Sequence, residues 1–198
     1  LDQSAVQDLD VGDLVNDTIT YTATDGSTQQ ITVTITGTDD ASVITGTVAG
    51  AVNEGNLGDT VTATGTITIS DADADDSPTF NDVGSTVGDN AYGSFALSSG
   101  TWTYTLDQSA VQDLDAGDLV NDTITYTATD GSTQQITVTI TGTEDASVIT
   151  GTVAGAVNEG NLGDTVTATG TIAINDADDD DSPTFNDVAS TVGDNAYG

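Results

Sequence analysis

The sequence contains no lysine, arginine or histidine, although 33 of its 198 residues are acidic. No carboxylate can therefore pair with a basic side chain, and the acids must be hydrated, hydrogen-bonded or matched by bound cations. Nucleic acids and anionic membrane surfaces are excluded as partners, because both are bound through positively charged surfaces.

Cysteine is absent as well, which excludes disulfides and thiolate chemistry. No apolar run approaches the roughly 18 residues that a transmembrane helix needs, so we expect no membrane insertion. The sequence has no methionine and no signal peptide, and we expect it to be an internal piece of a longer protein. Its apolar residues are mostly Val, Ile, Ala and Leu, which is typical of folded β proteins rather than of disordered acidic tails.

A long internal repeat sets the organisation of the chain. Residues 1–93 and 106–198 align at an offset of 105 and differ at six positions: Val11/Ala116, Asp39/Glu144, Thr68/Ala173, Ser70/Asn175, Ala74/Asp179 and Gly84/Ala189. A period of this length corresponds to one domain. The sequence therefore predicts the C-terminal part of one module with strands F and G (1–42), a complete β-sandwich module (43–147) and the N-terminal part of a following module with strands A to C (148–198).

Apolar residues alternate with threonine along most of the complete module, which is the pattern of half-buried antiparallel strands. Trp102 and Tyr104 follow this pattern, and we expect both side chains to anchor the core. The predicted fold class is all-β, as tandem Ig-like sandwiches of antiparallel sheets. Seven strands, named A to G, are predicted at about residues 44–53, 60–70, 79–87, 91–97, 101–107, 122–130 and 133–141.

Two linkers, residues 37–42 and 142–147, each place two adjacent acids between modules, and we call the region around each linker a joint. The predicted strands carry almost no charge, and their alternating directions bring the acidic turns to the two ends of the complete module. At the first joint the predicted cation ligands are Asp10, Asp13, Asp39, Asp40, Asp71, Asp73 and Asp130. At the second joint they are Glu54, Asp115, Asp118, Glu144, Asp145, Asp176 and Asp178.

Carboxylates crowded in this way repel one another, by about 4 kcal/mol per pair at 4 Å and an effective dielectric near 20. A divalent cation reverses the sign of the interaction. Ca²⁺ accepts roughly 6–8 oxygen ligands in flexible geometry, whereas Mg²⁺ demands a near-ideal octahedron. Zinc and copper are poor candidates without histidine and cysteine. We therefore predict several Ca²⁺ ions at the module junctions.

Three further roles for the acids fit the sequence less well. A generic high-salt or solubility surface would also place acids on the strand faces. Residues 71–82 begin like an EF-hand loop, yet Asp76 replaces the required glycine and the flanks are strands. Paired carboxylates also occur in glycosidases, but no long loops build a cleft, and no histidine, cysteine or phosphate loop is present. We therefore do not expect an enzyme.

Several segments resemble a known family: Ala72-Asp73, residues 100–106 and 127–131, and the Val-Thr-Ile-Thr-Gly-Thr run with its acidic linker at 138–149. Together they are similar to VCBS-type repeats, which are cadherin-like, Ig-like extender modules of large secreted bacterial adhesins of the RTX type. The resemblance covers the whole repeat. It implies tandem arrays, Ca²⁺ at module junctions, type I export and the role of a surface spacer.

The resemblance extends to individual residues of cadherin junctions. Glu54 is similar to the glutamate of the A–B turn, Asp71 and Asp73 to the Asp-Ala-Asp pair, and Asp130 to the strand F aspartate. Asp39 and Asp40 lie where an Asp-Asn pair is usual, and Asp10/Asp13 and Asp115/Asp118 correspond to the acidic E–F motif. Thr36 stands where cadherin linkers have a further Asp and Ser42 where Pro is common, so the number of ions per joint stays open.

We therefore expect an extracellular structural extender of a bacterial surface adhesin, a rod stiffened by Ca²⁺ at its linkers. Its partners are then the neighbouring repeats of the same chain. One alternative is a subunit of an extracellular filament or surface layer that associates head to tail or laterally with other copies. A second alternative is a module that binds carbohydrate or another surface.

Overall fold

The structure is a computed structural model that describes residues 1–195. Its helical parts are two 3₁₀ turns, at Gln3–Ala5 and Gln108–Ala110. Within the described residues no helix is long and apolar enough to cross a membrane. The strands are β1 (Leu14–Thr22), β2 (Thr28–Thr36), β3 (Val43–Gly46), β4 (Ala49–Asn53), β5 (Thr62–Ser70), β6 (Val83–Val87), β7 (Gly93–Ser98), β8 (Thr101–Leu106), β9 (Leu119–Thr127), β10 (Thr133–Thr141), β11 (Val148–Gly151) and β12 (Ile172–Asn175).

Strands β3 to β10 form two sheets that enclose one core. One sheet has five strands in the order β3-β5-β8-β7-β6, and the other has three in the order β4-β10-β9. Neighbouring strands are mostly antiparallel, whereas β4 and β10 run parallel. The predicted all-β, Ig-like sandwich is confirmed.

The predicted strand A is two strands rather than one. β3 pairs with β5 in the five-stranded sheet, and β4 pairs with β10 in the other, so the chain changes sheets between them. Gly46 permits the change: its φ is 128°, and a Cβ there would collide with the carbonyl of Thr66. The prediction of one strand over 44–53 followed the continuous apolar pattern, and that pattern does not report which sheet a strand joins.

The ends of two other strands also differ from the prediction. β6 begins at Val83, and the residues before it make only an isolated bridge between Phe80 and Ala128. β9 begins at Leu119, earlier than predicted, and ends at Thr127. The residues just outside these strand ends still form backbone hydrogen bonds. The alternation of apolar and polar residues therefore extends further along the sequence than the regular strands do.

The core is centred on aromatic residues from β7 and β8. Trp102 and Tyr104 are fully buried, as predicted, and the indole N–H of Trp102 donates to the carbonyl of Thr47 at 2.6 Å. The rings of Phe95 and Tyr104 are tilted, with centroids 4.6 Å apart. The other buried apolar residues are Val52, Ile67, Leu97, Leu106, Val111, Ile124, Tyr126, Ala128, Ile136, Val138 and Ile140.

One acidic residue of the strands, Asp122 in β9, lies in the interior of the module. This carboxylate is fully buried. Its Oδ1 accepts the N–H groups of Asn90 and Thr123 at 3.0 Å each, and its Oδ2 lies 3.3 Å from the hydroxyl of Tyr104. Hydrogen-bond donors replace water here, as a buried polar group requires. Asp122 thereby fixes the turn before β7 to β9.

The β1–β2 hairpin has the same sequence and register as β9–β10 but a different environment. Tyr21 is 57% exposed, whereas its counterpart Tyr126 is 3% exposed. The face that β9–β10 turns to the core is uncovered in β1–β2 within the described part of the chain. Three strands were predicted for 148–198. The described residues of this range contain two, β11 and β12, which pair antiparallel. Residues 196–198 lie outside the described residues.

Candidate cation sites at the two module joints

At the first joint, the linker between β2 and β3 is fastened to the acidic turn that follows β5. The N–H of Asp40 donates to Oδ2 of Asp73 at 2.8 Å, and the N–H of Asp73 donates to Oδ1 of Asp71 at 3.1 Å. The N–H of Ala74 donates to the carbonyl of Asp8 at 3.2 Å. The turn therefore contacts both the linker and the segment that precedes β1.

Three carboxylates converge at this turn. One oxygen from each of Asp10, Asp73 and Asp76 lies within 4.8 Å of the others. Asp73 is only 3% exposed, and its Oδ1 has no hydrogen-bond partner among residues 1–195. Such an oxygen has lost its water without gaining a donor, which is costly. Asp73 thus offers a free acceptor inside a group of acids that come from both sides of the joint.

Asp71 and Asp130 lie against the hydroxyl of Ser42, whose Oγ is 2.7 Å and 2.5 Å from their respective oxygens. The N–H of Asp73 is the main cause that lowers the pKa of Asp71, and the Ser42 hydroxyl is the main cause that lowers the pKa of Asp130. Both side chains therefore favour the charged form. Together with Asp39 they line an open cavity of about 540 Å³, which Asp40 and Asp76 also border.

Asp13 lies beside this group but contributes no oxygen to the three that converge. Its N–H donates to the carbonyl of Asp10 at 3.0 Å, and its carbonyl accepts the N–H of Gly37 at 2.9 Å. Its charge also helps to raise the pKa of Asp10. The structure thus places Asp13 where its backbone holds the linker.

The second joint repeats the same backbone contacts. The N–H of Asp145 donates to Oδ2 of Asp178 at 3.0 Å, and the N–H of Asp179 donates to the carbonyl of Asp113 at 3.2 Å. Asp178 is 3% exposed, and its Oδ1 again has no partner within the described chain. The buried, unpaired oxygen therefore occurs at equivalent positions of both joints.

Glu54 lies at the end of the complete module that adjoins the second joint. It is 5% exposed; its Oε1 accepts the amide of Gln112 at 2.8 Å, and its Oε2 accepts the N–H of Thr143 at 3.1 Å. Loss of hydration is the main cause that raises its pKa, and the charges of Asp145 and Asp178 add to it. Glu54 thus links the module to the linker.

The three converging carboxylates at the second joint are Glu144, Asp178 and Asp181. Asp178 and Asp181 are the counterparts of Asp73 and Asp76, whereas Glu144 is the counterpart of Asp39. The third carboxylate therefore comes from the linker here and from the preceding segment at the first joint.

The remaining predicted ligands surround this group. Asp176 accepts the hydroxyl of Ser147, which is the main cause that lowers its pKa. Asp115 has a raised pKa, chiefly because burial removes water and partly because Asp118 and Asp180 are charged. The N–H of Asp118 donates to the carbonyl of Asp115 at 3.0 Å. Neither Asp115 nor Asp118 belongs to the three that converge.

Crowding leaves a clear electrostatic signature at both joints, because several carboxyl groups have a raised pKa. For Glu144 the largest cause is the charge of Asp181. For the others it is the loss of hydration, to which neighbouring carboxylates add. These groups are Asp10, Asp76, Asp115, Asp145 and Glu54. Each joint therefore carries unfavourable charge that a bound cation would offset.

The sequence-based prediction missed Asp76 and Asp181, although both close the acidic turns in which other ligands were predicted. It also missed the hydroxyl donors Ser42 and Ser147. The run of four acids in six residues at 71–76 was the available signal for Asp76. The geometry of the turn decides which acid of such a run points toward the neighbouring acids. The composition of the run does not specify that geometry.

The side chains at both joints suit a hard cation. Their carboxylates offer oxygen ligands, and three of them lie close enough to share one ion. One buried carboxylate oxygen in each group accepts no hydrogen bond. The open, irregular arrangement is compatible with the variable coordination of Ca²⁺.

A sequence profile of the bacterial cadherin-like domain matches residues 39–142. The chain belongs to this family, and the predicted cadherin-like character is confirmed. No curated protein is significantly similar in sequence. Among the solved structures to which the chain is similar are two bacterial adhesins. One is a 1.5-MDa bacterial ice-binding adhesin studied for its retention at the host cell surface, with 19% identity and a TM-score of 0.29 over 66% of this chain and 41% of that chain.

The other is a Ca²⁺-stabilized adhesin with which an Antarctic bacterium reaches out and binds ice. It has 17% identity and a TM-score of 0.27 over 70% of this chain and 34% of that chain. This chain therefore spans less than half the length of either structure.

Proposed function

We propose that the protein is a structural extender of a bacterial surface adhesin, and that Ca²⁺ at each joint holds adjacent cadherin-like modules in a fixed orientation. The observation that carries the proposal is the buried, unpaired oxygen of Asp73, which recurs in Asp178. A carboxylate oxygen in that position needs a donor or a cation, and this sequence has no basic side chain to supply one.

The residues that would hold the ion are Asp10, Asp73 and Asp76 at the first joint and Glu144, Asp178 and Asp181 at the second. At the first joint Asp10 precedes the linker and the other two follow it, so one ion contacts both modules. Removing the ion leaves like charges that repel, and the joint should then open. The rigidity of the rod therefore depends on Ca²⁺.

The proposed location is the bacterial cell surface, and the proposed partners are neighbouring repeats of the same chain. Export by a type I system and membership of the VCBS and RTX groups belong to the same proposal. They rest on the motifs at 100–106, 127–131 and 138–149.

Small-angle X-ray scattering of the chain in Ca²⁺ and then in excess EGTA tests the proposal. We expect the pair-distance distribution to be that of an extended particle in Ca²⁺ and to become that of a flexible chain in EGTA. Asp73→Asn/Asp178→Asn should scatter in Ca²⁺ as the unmodified chain does in EGTA. Identical profiles in both buffers would contradict the role of Ca²⁺.

Sedimentation in the same buffers separates the extender from a filament or surface-layer subunit. A monomer at all concentrations supports the spacer. Concentration-dependent assembly through the uncovered β1–β2 face would support the filament instead, because Ile19, Tyr21 and Val33 are each about half exposed there. Glycan binding by the chain would favour the carbohydrate-binding alternative.

A further inference from the structure

We propose that the two joints are not equivalent cation sites, and that the Asp39/Glu144 position together with the Ala74/Asp179 position makes the second joint the tighter one. This inference rests on the proposed function, because it concerns the affinity of the same sites. The repeats differ at six aligned positions, and these two lie in the linker and in the acidic turn.

The third carboxylate comes from a different segment at each joint. Asp73 and Asp76 are matched by Asp178 and Asp181, but Asp10 completes the first group and Glu144 completes the second. Asp39 is one methylene shorter than Glu144, and it contributes no oxygen to the group at its own joint. The longer side chain therefore brings the linker into the second site.

At the second joint the counterpart of Asp10 is Asp115. Its segment is attached to the acidic turn as at the first joint, because the N–H of residue 74 or 179 donates at 3.2 Å to the carbonyl two residues before Asp10 or Asp115. Glu144 thus supplies a third carboxylate at the second joint while Asp115 stays in the segment held against the turn. Since the affinity of Ca²⁺ sites rises with the number of charged ligands, the second site should bind more tightly.

Asp179 adds a negative charge to the acidic turn of the second joint. The turn at the first joint has four acids in 71–76, and the turn at the second has five in 176–181. The backbone of residue 74 or 179 makes the same contact with the preceding segment in both joints. The exchange therefore adds negative charge without changing the turn's attachment.

An unpaired oxygen buried in each group indicates that both groups are ligand sites and not merely acidic surfaces. The consequence is an order of release. As the Ca²⁺ concentration falls, the first joint should lose its ion and become flexible while the second is still occupied.

The test is a calorimetric Ca²⁺ titration of chains in which one joint is silenced. Asp73→Asn should silence the first joint, because its amide still accepts the N–H of Asp40 but places an NH₂ where the free oxygen was. Asp178→Asn should silence the second joint in the same way. The emission of Trp102, which is fully buried in the complete module, checks that each variant is folded.

Each further substitution is compared within one joint and not between the two joints. Glu54 contacts only the second joint, and the residue 105 positions before it lies outside this sequence, so the two joints are not matched in this respect. In the Asp73→Asn chain, Glu144→Asp should weaken Ca²⁺ binding about tenfold, because the shorter side chain withdraws one charged ligand from the site. Asp179→Ala should weaken it about two- to threefold through lost Coulomb attraction. In the Asp178→Asn chain, Asp39→Glu should strengthen binding.

Unchanged affinity in Glu144→Asp and Asp39→Glu would overturn the inference and leave the proposed function intact. Failure of the unmodified chain to bind Ca²⁺ at all would overturn both. A stronger effect of Asp179→Ala than of Glu144→Asp would overturn the assignment of Glu144 as the distinguishing ligand.

Discussion

The backbone N–H of Asp40 donates to one carboxylate oxygen of Asp73 at 2.8 Å, while the other oxygen of Asp73 is buried without a partner. The same relationship joins Asp145 to Asp178 at 3.0 Å. The linker is therefore tied to the following module through a side chain that is only half satisfied. A cation that completes this carboxylate would order the linker and the module together.

Glu54→Gln should destabilise the protein more in Ca²⁺ than in EGTA. In EGTA the midpoint of thermal unfolding should change little, because the loss of a dehydrated charge next to Asp145 and Asp178 is offset by an NH₂ group that faces one of the two N–H donors of Glu54. In Ca²⁺ the stabilisation should shrink by about 1.4 kcal/mol for a tenfold loss of affinity. Calorimetric melts in both buffers measure these effects.

The matched control is Glu159→Gln, since Glu159 has the same place in the repeat but is exposed in this chain. It should leave the Ca²⁺-dependent stabilisation unchanged. Equal losses in the two variants would refute a specific role of Glu54.

Asp122→Ala should destabilise the complete module by about 3 kcal/mol, independently of Ca²⁺. The change removes a buried acceptor and leaves the N–H groups of Asn90 and Thr123 and the Tyr104 hydroxyl without it. Urea unfolding followed by Trp102 fluorescence measures the loss. Asp17→Ala, at the exposed equivalent position, should change stability by less than about 0.5 kcal/mol. Similar losses in both would show that burial of Asp122 is irrelevant.

Gly65→Ala should cost about 1–3 kcal/mol, because the new Cβ would lie 2.6 Å from ring atoms of Trp102 in a filled core. Gly84→Ala is the control, since nothing lies within 4 Å of a Cβ there and the repeat carries alanine at the equivalent Ala189. Urea midpoints should separate the two variants. A stable Gly65→Ala protein would mean that Trp102 is packed less tightly than the structure shows.

The Ca²⁺-free protein should become more stable as the pH falls from 7 toward the ordinary carboxyl pKa values of 3.8 for Asp10 and 4.5 for Glu144. Raised pKa values mean that the folded joints bind protons more tightly than the unfolded chain, so stability decreases as the pH rises through them. Asp71, Asp130 and Asp176 have lowered pKa values, and their contribution is lost below their ordinary value of 3.8. Thermal melts in EGTA should therefore peak at mildly acidic pH.

Excess Ca²⁺ should reverse this trend between pH 7 and 5, because protons and the cation compete for the same oxygens. Melting temperatures that rise with pH in EGTA as well as in Ca²⁺ would contradict the crowded, cation-dependent joints.

Much of the fold followed from the sequence, because alternation and repetition are local signals. Trp102 and Tyr104 lie in the core, as their alternation with threonine predicts. The strands predicted at 122–130 and 133–141 correspond to β9 and β10, which pair antiparallel. The crossing at Gly46 was not predicted, because it depends on a contact with Thr66 in another strand.

The candidate site was accessible in outline but not in detail. Strand direction alone brought Asp73 to the linker and Glu54 to the opposite end of the module, and the structure places them so. Asp76 belongs to the converging group at the first joint, and Glu144 takes the place of Asp10 in the group at the second joint. Both depend on how far side chains reach within irregular turns. Buried Asp122 was missed because its donors come from a distant turn and another strand.

The most direct test of the account is the distance across the first joint, measured by double electron–electron resonance. The chain has no cysteine, so Thr32→Cys and Thr62→Cys provide two unique label sites, both exposed, on β2 and β5. We predict a narrow distance distribution in Ca²⁺ that broadens in EGTA, and a broad one in both buffers when Asp73→Asn is added. A distribution of the same width with and without Ca²⁺ would contradict the claim that the cation holds the modules in place.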